Sequence, residues 1–327
     1  MDRNTGNTAR CLSKQLGGTT TQQPDRMKRV LNLAARLGIT EAAPKVLADA
    51  GNFIVLLEPY SIVARMPYAL PNEDPDALRE SLAREIQIAR HLHSVGVPAI
   101  EPSTYVDPGP HQVENGWVAL WSYAEPAELS PLDRASLVGL VLSLGRGLRS
   151  YLGQLPPYGA WGYVSPALAW LEHAGDLSYT WLLRHVRYAD SRIRNIPAAE
   201  LIPAHGDAHI RNLLPTVQGW IWADLEDASL MPKWWDLAST IGNTALFEGI
   251  HHPLVEHAFS LPAVVEDLLW FAEMLWIRCV FATATNLFMA ARGRGDRLWA
   301  EQQLEALPRL LEEIQHLLNA HGAKRLP

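Results

Sequence analysis

The segment Pro203–Leu214 reads Pro-Ala-His205-Gly206-Asp207-Ala208-His209-Ile210-Arg211-Asn212-Leu-Leu and sets several side chains capable of chemistry between apolar flanks. A second polar cluster, Asp224-Leu225-Glu226-Asp227, follows the short apolar run Trp220-Ile221-Trp222-Ala223. Residues 213–223 suit a hairpin turning near Gln218-Gly219, which brings Asn212 and Asp224 to one end. An Asn and an Asp presenting oxygens there make a hard-cation site of the kind Mg²⁺ prefers, completed by phosphate oxygens and water. Asp207 then stands where it can orient a hydroxyl and accept its proton. His205, Asp207 and His209 also spell a His-x-Asp-x-His metal spacing, to which His251, His252 and His257 could add ligands. No second motif supports a zinc hydrolase, and the two histidines are expected to shape the loop.

These groups need a scaffold. Asn52–Leu57 and Ser61–Met66 are β-rich runs joined by Glu58-Pro59-Tyr60. Asn72-Glu73-Asp74-Pro75 starts a helix, with Asp74 as N-cap and Pro75 in the first turn, that ends near Ser94 before Gly96-Val97-Pro98. Its apolar stripe, Leu78, Leu82, Ala89 and Leu92, includes one carboxylate, Glu85. A carboxylate on a core-facing stripe needs a partner, and Arg65, which shares a strand face with Val63, is the candidate. Gly116–Trp121 is a further strand. Beyond it the helical spacings at Leu137–Leu152, Pro166–Glu172, Val264–Ala291 and Gln302–Ala320 surround the loop island at 201–227. Strands first and helices later predict an α+β protein with two lobes.

His205-Gly206-Asp207 with Asn212 five residues on resembles the catalytic loop of the aminoglycoside phosphotransferase family, and Asp224-Leu225-Glu226 resembles its metal-binding segment. Trp235-Asp236-Leu237-Ala238 is similar to the helix start that follows in that family, and Arg65 and Glu85 fall where the kinase-like fold has its Lys–Glu pair. The ordered set spans about residues 48 to 240. The chain departs from the pattern in carrying Arg65 instead of Lys and only Gly51 before the first strand in place of a glycine-rich loop. The resemblance implies a two-lobed protein-kinase-like fold, with a small N-terminal β-rich lobe holding one main helix and a larger, mainly helical C-terminal lobe. Expected boundaries are a flexible tail over 1–23, a nucleotide-binding lobe over 24–124 and a catalytic and substrate-binding lobe over 125–327.

It also implies roles. Asp207 is the catalytic base, Asn212 and Asp224 are Mg²⁺ ligands, and Arg65, held by Glu85, contacts the nucleotide phosphates. Leu120, Trp121, Ser122 and Tyr123 form the hinge that reads the purine of ATP or GTP. His205, His209 and Asp236 support the loop, and Glu226 and Asp227 are candidates to face the substrate. The implied reaction moves the γ-phosphate of a nucleoside triphosphate to a hydroxyl of a small acceptor such as an aminoglycoside or another antibiotic. The alternatives are a metabolic kinase of choline, homoserine or sugar type and a non-catalytic, pseudokinase-like binding protein.

Composition narrows the classes further. Apolar residues make up 48% and charged residues 19%, enough to bury a sizeable core. The balance of 28 Lys and Arg against 35 Asp and Glu gives a net charge of −7, which argues against a nucleic-acid partner. Two cysteines, Cys11 and Cys279, exclude a disulfide scaffold and suit a reducing, cytoplasmic compartment. No apolar signal-like run opens the chain, and Glu273 and Arg278 interrupt the longest apolar stretch, so no membrane partner is expected.

Overall fold

The computed structural model describes residues 23–50, 52–67, 75–114, 116–175 and 179–322. Residues 1–22 of the expected tail over 1–23, Gly51 and the Asp74 cap lie outside them, while Gln23 opens a helix. The chain forms two compact units, Met1–Glu128 with Leu214–Glu226, and Leu129–Leu213 with Asp227–Pro327.

The first unit opens with helix α1 (Gln23–Arg36), which the sequence reading passed over. Met27, Val30, Leu31, Leu33 and Ala34 nevertheless sit at helical spacing, with Asp25 in the first turn and Arg36 in the last complementing the helix dipole. Strands β1 (Ala43–Ala50), β2 (Asn52–Glu58) and β3 (Ile62–Pro67) follow, then helix α2 (Pro75–Ser94) and strands β4 (His111–Val113) and β5 (Gly116–Ser122). The strands make one antiparallel sheet in the order β1-β2-β3-β5-β4. Period-two alternation sends Phe53, Val55, Leu57, Ile62, Ala64 and Met66 into one core with Val30, Leu33 and Ala34 of α1. Arg65 therefore falls on the other face of β3, the side on which Glu85 of α2 meets it.

The second unit contains α3 (Arg134–Arg149), α4 (Val164–His173), α5 (Thr180–Arg194) and β6 (Ile202–Ala204). After an excursion through β7 (Leu213–Thr216) and β8 (Gly219–Trp222), it continues with β9 (Ser229–Met231), α6 (Trp235–Glu248), α7 (Pro253–Phe259), α8 (Pro262–Val265), α9 (Leu268–Ala291) and α10 (Arg297–Ala320). Helix α3 starts earlier than the apolar spacing suggests because Asp133 caps it, accepting from the Ser136 amide at 2.7 Å. The long helix expected from Val264 breaks at Glu266-Asp267 into α8 and α9.

Helix α9 packs against α4, α5, α6 and α10 and is the centre of this unit. Among the described residues it is the one helix long and apolar enough to cross a membrane, longer than the sequence reading allowed. Of its most apolar window, 67% is buried inside the protein. Its apolarity on all sides is that of a core helix.

The expected C-terminal lobe over 125–327 is not continuous. Segment 214–226 belongs to the first unit, where backbone hydrogen bonds hold it: Ile100 N to Trp222 O at 2.8 Å, Trp222 N to Pro98 O at 3.0 Å, and Ala127 N to Pro215 O at 3.0 Å. These partners are remote in sequence, so no local pattern announces them.

Candidate active site

In the second unit the loop 205–212 is fixed from the start of α6. Asp236 is buried, and its two carboxylate oxygens accept from the His205 amide at 2.8 Å and the Gly206 amide at 3.0 Å. The Trp235 indole donates to the Gly206 carbonyl at 2.6 Å, and the Thr240 hydroxyl to the Ala208 carbonyl at 2.6 Å. Gly206 has φ +89°, and a Cβ there would lie 2.2 Å from the Asp227 carbonyl oxygen, so both the turn and the close approach require glycine. His205 is fully buried, and its Nδ1 accepts from the Asp207 amide at 3.3 Å. Burial raises the Asp236 carboxyl above its ordinary value, against the pull of His205 and the two amides.

Asp207 is held at both oxygens. Arg278 Nη2 donates to Oδ1 at 2.7 Å, and His209 Nε2 lies 3.2 Å from Oδ2. Burial would raise this carboxyl. The hydrogen bond from His209 and the Arg278 charge overcome it and keep the group well below the usual carboxylate range. Arg278 is itself buried in α9; its Nε donates to the Ser239 hydroxyl at 2.6 Å, and it lies over the rings of Trp235 and Phe281 at 5.3 and 5.2 Å. Asn212 Nδ2 donates to the Asp207 carbonyl at 2.9 Å, which fixes the amide with Oδ1 as its acceptor oxygen.

In the first unit Arg65 and Glu85 meet as a buried, hydrogen-bonded ion pair. The second arm of the guanidinium bonds Glu226, and Asp224 Oδ1 lies 3.6 Å away. Burial alone would lower the Arg65 pKa, but Glu85, Glu226 and Asp224 together raise it, so it stays charged. Burial pushes the Glu85 carboxyl up to about 7, against Arg65 and with help from the two further carboxylates. One cation thus serves three acids. Asp224 is partly exposed and has φ +62°, a left-handed conformation that Asp tolerates better than most residues.

Glu226, a candidate to face the substrate, is partly exposed and is engaged by the second arm of the Arg65 guanidinium. The backbone of Asp227 lies against the loop: its carbonyl abuts Gly206 and accepts from the Ser229 hydroxyl at 2.8 Å. In the hinge segment, the amides of Leu120, Ser122 and Tyr123 are already bonded to Pro108, Glu101 and Ser61 carbonyls at 2.8–2.9 Å. These three N–H groups are paired within the sheet and its flanking loops. Residues that the sequence reading did not assign to the site are Arg278, Ser239, Trp235 and Thr240. The signal for Arg278 was an arginine on an otherwise apolar helix, the same signal that exposed Glu85.

Asn212 Oδ1 in the second unit and the Asp224 carboxylate in the first are each hard oxygen donors of the kind Mg²⁺ takes, an ion that uses few protein oxygens and keeps its remaining positions for phosphate and water. Among the described residues, no group of three His, Cys, Asp or Glu is placed to hold a metal.

The family model described as the phosphotransferase enzyme family matches residues 3–258 of this chain. No curated protein matches it by sequence. Among solved structures it is similar to an amicoumacin kinase in complex with AMP-PNP, Ca²⁺ and Ami, at 16% identity and TM-score 0.62, covering 89% of this chain and 95% of that one. A choline/ethanolamine kinase family protein from Mesorhizobium loti gives 17% identity and TM-score 0.58, covering 88% and 95%. A thermostable mutant of aminoglycoside phosphotransferase APH(4)-Ia, in ternary complex with ADP and hygromycin B, gives 11% and 0.56, covering 86% and 97%. At such identities the likeness shows the fold, which is the two-lobed kinase-like one.

Proposed function

The chain belongs to the phosphotransferase enzyme family, and from that premise we propose that it transfers the γ-phosphate of ATP or GTP to a hydroxyl of a small molecule. The observation that carries this reading is the fixed geometry of Asp207, a carboxylate held at both oxygens inside a loop pinned by Asp236.

In this reading Arg65 anchors the nucleotide phosphates, and Glu85 holds its guanidinium in place. Asn212 and Asp224 supply the protein's oxygens to Mg²⁺, which when bound neutralises charge on the phosphates. Asp207 accepts a hydrogen bond from the acceptor hydroxyl and aims it at the γ-phosphorus. The acceptor oxygen bonds to phosphorus as the bond to the β–γ bridging oxygen breaks, and the hydroxyl proton leaves toward Asp207. A carboxylate held well below its usual range is a weak base, so its contribution is mainly orientation. That suits phosphoryl transfer, where positioning and electrostatics dominate. Asp224, whose Oδ1 lies 3.6 Å from Arg65, would be the carboxylate that holds the cation.

Asp207→Ala is expected to fold and to bind nucleotide while transfer falls by about 10²–10⁴. Near-normal turnover in that variant would defeat the assignment. A second reading, a nucleotide-binding protein without transfer, draws on one observation: the Arg65 fork is already filled by Glu85 and Glu226. Wild-type turnover with any acceptor excludes it.

A further inference from the structure

A pocket that admits a cationic acceptor needs two things near the reacting hydroxyl: carboxylates without their own cations, and aromatic faces open to an ammonium group. In the second unit both are taken. Arg278 Nη2 sits 2.7 Å from the Asp207 carboxylate, and the same guanidinium covers the faces of Trp235 and Phe281 at 5.3 and 5.2 Å. Trp161 stacks on Phe281 at 5.1 Å and completes the aromatic wall. Ser239, at 2.6 Å from Nε, fixes the arginine from α6.

Three further acids of this unit, Asp190, Glu273 and Asp267, are matched as well. Asp190 takes the Trp161 indole and Arg194, both at 2.8 Å. Glu273 holds Arg192 through two bonds of 2.6 and 2.8 Å, and Asp267 holds Lys233 at 2.9 Å. None of these is left as a bare carboxylate for a ligand's amine. Arg278 makes two of its possible donations, to Ser239 and Asp207, and its remaining N–H groups suit an oxygen of the acceptor.

We infer that Arg278 is a specificity-determining residue that stands in for a ligand cation, so that the acceptor is uncharged or anionic around its reacting hydroxyl and polycations are rejected. This rests on the small-molecule kinase reading of the same site. Any ammonium group next to the reacting hydroxyl would lie ~6 Å from a fixed guanidinium. Relative to a site whose Asp207 carboxylate had no such partner, one unit charge at that distance, in an effective dielectric of ~20, weakens binding by ~100-fold.

The test titrates choline and kanamycin A by calorimetry into the full chain, with and without Mg²⁺ and AMP-PNP. In parallel, transfer from ATP and GTP to kanamycin A, choline, glucose and glycerate is assayed. Neither cation is expected to saturate the wild type at micromolar concentration, and any transfer goes to glucose- or glycerate-like acceptors. Arg278→Met is expected to gain ~100-fold in choline affinity, whereas Arg278→Lys, which keeps the charge, gains little. Micromolar binding of either cation by the wild type, transfer to either, or no gain in Arg278→Met would overturn the inference. Should Arg278→Met fail to fold, the double variant Arg278→Met/Asp207→Asn removes both charges, and the wild-type titration decides independently. Transfer to kanamycin A would sink this inference and leave the kinase reading standing. Failure of both nucleotides to bind would sink the kinase reading, while the nucleotide-free titrations would still decide the charge of the ligand.

Discussion

Replacing Arg65 by Met removes the one cation that three carboxylates share. Glu85 is fully buried, and it is chiefly Arg65 that lets it ionise as pH rises through about 7. Breaking a buried pair from one side costs about 3–5 kcal/mol when the remaining charge has no other partner. Glu85 has an escape: it can bind a proton. In the wild type its carboxyl titrates at about 7, and without Arg65 it titrates higher still, because burial and the Glu226 and Asp224 charges remain. Below pH 7 both proteins carry the proton in the folded state, and the penalty is small. Between pH 7 and the variant's higher pKa, only the variant's folded state keeps it, so the variant loses stability relative to the wild type by about 1.4 kcal/mol per pH unit. Integrated from pH 6 to pH 8, the difference grows by about 1.4 kcal/mol. Urea unfolding of both proteins at the two pH values measures it. A penalty that is constant with pH would refute the idea that Glu85 is ionised by Arg65, and with it the electrostatic account of this cluster.

Other consequences follow from the same geometry. Glu85→Gln removes a group whose folded pKa is raised, so the variant lacks the loss of stability that the wild type shows as pH rises from 4.5 to about 7. Comparing the two unfolding curves across that range shows it, and parallel curves would contradict it. Asp236→Ala leaves the His205 and Gly206 amides buried without their acceptor and is expected to cost about 2–5 kcal/mol, read from urea midpoints; a loss below about 1 kcal/mol would mean that the loop is not held from α6. Gly206→Ala drives a methyl into the Asp227 carbonyl at a positive φ and should abolish the folded loop, seen as lost transfer and a lowered thermal midpoint; wild-type behaviour in both would refute the close approach.

What was legible in the sequence was what depends on period and neighbourhood. The α2 stripe with Glu85 in it, and Arg65 on the opposite face of β3 from the Ile62–Ala64–Met66 core, follow from 3.6- and 2-residue spacings, and the structure brings the two together. The loop 205–212 and the hairpin before Asp224 are contiguous and therefore readable. Helix α1 carries the same kind of signal, an apolar face at helical spacing, diluted by the Asp, Arg, Lys and Asn residues between.

Partnerships across long sequence separation were not legible. Arg278 lies 71 residues from Asp207, and Glu226 lies 161 residues from Arg65. A lone arginine in an apolar helix says that a partner exists without saying which. The bonding of the hinge segment was hidden for a related reason. A strand pattern predicts that Leu120 to Ser122 will pair, and only the register shows that flanking loops and β3 have consumed the amides of Leu120, Ser122 and Tyr123. The return of 214–226 to the first unit is likewise a matter of tertiary pairing with residues 98–100 and 125–127.

The central claim is that this chain binds a nucleoside triphosphate through Mg²⁺ and hands its terminal phosphate to a hydroxyl oriented by Asp207. Calorimetric titration of ATP and of GTP, with and without Mg²⁺, tests its first requirement directly, with Asp224→Asn as control. The account predicts binding that needs Mg²⁺ and is weakened by Asp224→Asn. Binding indifferent to Mg²⁺ and to that substitution, or no binding of either nucleotide, would contradict it.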